Sequence, residues 1–133
     1  MSEANRFKYL RIALLLVGVI FIVGIYSLTM IWPSGWSWHT GHSLLPPHYL
    51  QMILGVYATL GVFLLVASRN PLANLNLIRF TVWSSLVHAG IMGAQAVANS
   101  EQRGHLVGDV PALLVIAVVL AFLTPRGTAA KPA

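Results

Sequence analysis

Four apolar runs, residues 10–32, 49–67, 79–98 and 108–123, account for most of this 133-residue chain. About 20 apolar residues wound as a helix cross the roughly 30 Å hydrocarbon core of a bilayer, and a lone segment inside that core satisfies its own backbone only as a helix. A water-soluble alternative fails on composition. Hydrophobic residues make up 57% of the chain and charged residues 8%, whereas a soluble domain is about one quarter charged. The chain is therefore expected to be all-α, a single integral membrane domain built as a four-helix bundle.

The segments between the runs behave as membrane punctuation. Arg6, Lys8 and Arg11 precede or open the first run. A secretory signal would have an apolar core of about 7–15 residues and a small-residue cleavage site. This run is longer and ends in Trp32-Pro33, so it reads as a retained span. Residues 33–48 form a first loop with Trp36, Trp38, His39, His42 and the pair Pro46-Pro47, its aromatics suited to an interfacial belt. A turn at 68–78 contains Arg69 and Asn70-Pro71, and a second outer loop at 100–107 holds Glu101, Arg103 and His105. Asp109 is expected to cap the fourth span, with Pro111 in its first turn, and 124–133 reads as a disordered basic tail.

Charge placement orients the bundle. Of 8 basic residues, Arg6, Lys8, Arg11, Arg69, Arg79, Arg126 and Lys131 fall at one end of the spans and only Arg103 at the other. Positive residues collect on the cytoplasmic side, so both N- and C-termini are expected to be cytoplasmic. The net charge of +5 does not point to nucleic acid, because the basic residues cap apolar runs and form no stripe between aromatics. With 0 cysteines, disulfide, zinc-thiolate and iron-sulfur chemistry are excluded.

The third run carries the clearest internal pattern. Thr81, Ser84, His88, Met92, Gln95 and Asn99 recur at three- and four-residue steps and so share one helix face. Beside them Ser85, Ala89, Gly93 and Ala96 form a small-residue stripe that lets another helix approach, which makes this helix the expected centre of the bundle. That stripe also offers a surface for a homo-oligomer or a partner membrane subunit. Glycines 55, 61, 90 and 93 read as helix packing or bends. His88 lies near the bilayer midplane, where an ionisable group is by default a functional hypothesis. Tyr57 on the second span is level with it and is its expected hydrogen-bond partner. Interhelical polar packing, ligand or proton handling, and axial ligation of haem or a metal are all open to His88.

Two further clusters bear on function. His48 and Met52, one helical turn apart, sit at the outer end of the second span, at the depth of Met92 and His105, and imidazole with thioether suits copper. His39 and His42 are spaced for a shared zinc, but a solvated loop with incidental histidines is the better account of them. No metalloprotease motif, phosphate loop, nucleophile elbow or paired carboxylates is present.

At residues 57–63, 69–73, 83–89 and 104–114 the chain resembles a family of small bacterial four-span membrane proteins of unknown function, over most of its length from about residue 50. It is more distantly similar, in architecture only, to DoxX-like four-helix membrane proteins. The first resemblance implies a multi-pass protein of the bacterial inner membrane and supplies no substrate, cofactor or catalytic residue. The favoured expectation is a protein that binds a partner subunit or a small apolar ligand in an interior polar pocket formed by His88, Tyr57, Ser84, Gln95 and Asp109. A copper or haem redox protein using His48, Met52, Met92 and His105 is the second. A proton-coupled enzyme or transporter of a lipid-like substrate, with His88 and Asp109 as proton carriers, is the third.

Overall fold

The computed structural model describes residues 1–32 and 48–125, so the loop with His39 and His42, and the tail from 126 on, lie outside the described residues. All regular structure among the described residues is helical, in four stretches long and apolar enough to cross a membrane: Glu3–Ile31, Leu50–Arg69, Pro71–Ala98 and Ser100–Leu123. The first span is composite: α1 (Glu3–Val19), a π-helical turn (Ile20–Gly24) and α2 (Ile25–Ile31). The second is α3 (His48–Arg69). After a 3-10 turn at Pro71–Asn74 comes α4 (Leu75–Ala98), which begins before the expected residue 79. The 100–107 segment, read as a loop, is largely the 3-10 helix Ser100–Leu106, and it leads into α5 (Asp109–Leu123).

Helix ends are closed by side chains. The Ser2 hydroxyl accepts from the Asn5 amide at 3.3 Å and caps α1. Arg6 donates from Nε to the carbonyl of Leu123 at 3.1 Å and from Nη2 to those of Phe122 and Thr124 at 3.0 and 2.7 Å. Arg11 does the same for the carbonyl of Arg69 at the end of α3. A guanidinium there satisfies orphan carbonyls and meets the negative end of the helix dipole. Within the spans, hydroxyls turn back on their own helix, Thr59 to Gly55, Thr81 to Leu77 and Ser84 to Thr81, which leaves little polar surface toward lipid. Phe80, Trp83, Val97 and Phe122 all face outward, as a lipid solvent permits.

The order of packing differs from the expected one. The closest neighbours are α4 with α5 and α1 with α3; α1 also meets α5, whereas the α3 and α4 backbones stay apart despite the short turn between them and the two helices meet through the side chains of Tyr57 and His88. The spans thus run second, first, fourth, third, and the third is at the edge. Its small stripe is nonetheless buried, with Ser85, Ala89 and Ala96 on the same inward face as Ile78, Thr81 and Met92. The stripe is spent inside the chain, chiefly toward α5. Closest approach occurs instead between first and second spans. A Cβ at Gly61 would lie 2.6 Å from the Gly18 carbonyl oxygen, and one at Gly18 would lie 2.9 Å from that of Gly61. Gly55, Gly90 and Gly93 have nothing within 4 Å of a built Cβ, so they are not packing glycines within this chain.

The core fills the half of the bundle nearer the termini, where Leu10, Leu14, Leu64, Ile78 and Leu120 are fully buried. The described residues leave the other half hollow.

Candidate functional site

A cavity of about 510 Å³ occupies that hollow half. Phe21, Ile25 and Leu28 wall it from the first span, Leu50, Ile53, Leu54 and Tyr57 from the second, and Asp109, Ala112, Leu113 and Ile116 from the fourth. The third span contributes His88. Such volume and apolar lining with a few convergent polar groups are what small-molecule sites share.

The π-helical turn lies against it, with Ile20, Phe21 and Gly24 all on the cavity wall. One extra residue per turn rotates the rest of the helix relative to α1, and such bulges recur at functional sites. Here the turn brings the edge of Phe21 against the Tyr57 ring, with centroids 4.8 Å apart at 79°. That contact holds the phenol toward the third span.

Tyr57 Oη lies 2.6 Å from His88 Nδ1, the pairing that equal depth predicted. The other ring nitrogen, Nε2, is 2.8 Å from Met92 Sδ one turn along α4. His88 is therefore turned toward protein with both nitrogens engaged. It is half-buried, because the polar line and the small stripe lie side by side and burial is centred on the stripe. The same geometry displaces two residues expected in the pocket: Gln95 is exposed and Ser84 is bonded to the Thr81 carbonyl, and neither lines the cavity.

Asp109 lines the cavity but does not cap α5. It is the first helical residue, and Gly108 occupies the capping position without a side-chain bond. The carboxylate turns back instead to His105, with both oxygens 2.9 Å from Nδ1. His105 and Asp109 flank the Val107–Gly108 turn between the 3-10 helix and α5, and that turn brings them together. The two residues are 4% and 6% exposed. A carboxylate at a helix N-terminus also meets the positive end of the dipole. Asp109 is near enough to interact electrostatically with both Tyr57 and His88.

The residues weighed as copper or haem ligands are dispersed. Met52 is 67% exposed and His48 is exposed, whereas Met92 is buried against His88 and His105 against Asp109. Among the described residues no group of three or more His, Cys, Asp or Glu is placed to hold a metal. Nor does the His88–Met92 contact leave room for an ion, since bonds of about 2.0 and 2.3 Å at a tetrahedral angle would separate nitrogen and sulfur by about 3.5 Å.

Two features of this site have only faint sequence signals: Gly24 for the π turn, and the four-residue spacing of His105 and Asp109 for their pairing. Compared with known proteins, residues 4–133 match the sequence profile of one family, described as a family of unknown function, so the likeness extends over the first span as well as the later ones. No curated protein and no solved structure matches the chain.

Proposed function

The chain thus belongs to DUF6632, a family of unknown function, and from its own geometry we propose that it is a membrane protein that binds a small apolar ligand inside the bundle. The observation that carries this reading is the cavity of about 510 Å³, apolar except where Tyr57, His88 and Asp109 meet it. An apolar body gains dispersion contacts with Ile53, Leu54, Leu113 and Ile116, and a polar end finds its partners at the Tyr57, His88 and Asp109 side.

Filling the cavity tests this directly. Ala112 lines it without belonging to the buried core, so Ala112→Trp is expected to abolish saturable ligand binding while leaving unfolding in detergent within about 1 kcal/mol of wild type. Native mass spectrometry of lipids retained on the purified protein reads the first effect. Retention of the same bound mass by the variant would defeat the proposal.

The buried His105–Asp109 pair beside His88 favours a second reading, a proton-coupled enzyme or transporter acting on a lipid-like substrate. It requires that Asp109→Asn abolish turnover in folded, inserted protein.

We also assign the termini to the cytoplasm of a bacterial inner membrane, because Arg6, Lys8, Arg11, Arg69 and Arg79 share their end of the bundle. A cysteine at Lys8 should then be labelled by a membrane-impermeant maleimide only after the cells are opened. One at Arg103 should react in intact spheroplasts. The reverse pattern would invert the assignment.

A further inference from the structure

Among the described residues, the polar side chains of the cavity wall offer hydrogen-bond acceptors and no donors. From this we propose that the bound ligand carries a neutral hydroxyl head, as a long-chain alcohol or an alkylphenol does, and is not an ether, ketone or carboxylate of the same size. The inference rests on the ligand-binding reading above and names the chemistry of the head group.

The protons of the cluster can be followed one by one. A thioether sulfur has no hydrogen and can only accept. With Met92 Sδ 2.8 Å away, Nε2 of His88 must carry the ring hydrogen. A neutral imidazole then presents Nδ1 as an acceptor, and Tyr57, whose oxygen is 2.6 Å from it, spends its one proton there. What Tyr57 still shows the cavity is oxygen lone pairs. Asp109 receives the His105 Nδ1 hydrogen between its two oxygens, each 2.9 Å away, so both oxygens act as acceptors there and carry further lone pairs toward the cavity. The backbone donors of the described lining there are engaged: the Val107 and Gly108 amides are bonded to the Gly104 carbonyl, the Ala112 amide to that of Gly108, the Asp109 amide is directed at its own carboxylate, and Pro111 has no N–H.

A hydroxyl fits this wall because it brings the missing donor. An ether or ketone would bury an acceptor against acceptors, which is a desolvation loss without a compensating bond. A carboxylate would add like charge beside Asp109 where water is scarce. An ammonium donates too, but it would carry a full charge into an apolar cavity whose Asp109 oxygens already receive the His105 Nδ1 hydrogen, so a neutral donor enters at the lower desolvation cost.

The test uses the full chain in lipid nanodiscs with radiolabelled dodecanol as the probe, displaced in turn by dodecanol, dodecyl methyl ether, dodecylammonium and dodecanoate. Dodecanol should displace the probe at concentrations about tenfold or more below any of the others. Asp109→Asn supplies an amide donor and should narrow the gap between alcohol and ether to within about threefold. Should that variant fail to fold, Tyr57→Phe exchanges the phenol oxygen for the uncovered His88 Nδ1 as the exposed acceptor, so dodecanol should keep its roughly tenfold preference over the ether, and loss of that preference would overturn the assignment. Ether, ammonium or dodecanoate binding as tightly as dodecanol to the wild type would overturn the hydroxyl assignment and leave the ligand site standing. Absence of saturable binding by all four would instead overturn the ligand-binding reading itself.

Discussion

Gly61→Leu is expected to destabilise this protein by about 3 kcal/mol or more. A Cβ at Gly61 would meet the Gly18 carbonyl oxygen at 2.6 Å, Ile22 Cγ1 at 2.8 Å and Phe21 Cβ at 3.1 Å. Two of these neighbours can scarcely yield, since one is backbone and the other sits at the root of a side chain. The spans must therefore separate, losing dispersion contacts along their whole shared face, and in lipid those contacts are most of what holds helices together. The strain also reaches the cavity, because Phe21 supports Tyr57. Gly93→Ala is the control: its Cβ meets nothing within 4 Å, and alanine is the better helix former by up to about 1 kcal/mol. Equilibrium unfolding in mixed micelles should rank the variants Gly93→Ala at or above wild type and Gly61→Leu far below. Equal stability of the two glycine variants would show that the first two spans are not held in this register.

The second large effect is expected at the His105–Asp109 pair. Replacing either residue by alanine leaves its partner nearly buried without its principal ionic contact, and each should destabilise by about 3 kcal/mol. Removing both should be less damaging than the sum, with a coupling energy of about 2 kcal/mol in a double-mutant cycle, because the double variant buries no unmatched charge. Strict additivity would mean the two side chains do not form a pair in the membrane.

Much of the site was legible before any coordinates. Tyr57 and His88 pair as their matching depth in neighbouring apolar runs implied, since depth follows from rise per residue and needs no tertiary information. Gln95 shows where that reasoning stops. It shares a helix face with His88, yet α4 lies at the edge of the bundle and the face passes from protein to surroundings within two turns. The small stripe was real as a buried surface, but its partner was α5, and the tightest helix contact belonged to Gly18, which periodicity did not single out. Asp109 looked like a cap from its place before an apolar run; the 3-10 turn ahead of it offers His105 as a nearer partner.

The number of spans, their lengths and the wholly helical class were determined by the sequence alone. Hydropathy acts segment by segment, and lipid accepts an isolated segment only as a helix. Which spans touch, where the first one bulges and where a hollow is left were decided only in three dimensions. Close approach requires two small residues on different helices to meet, and a cavity is set by side chains from three or four spans failing to fill the space between them.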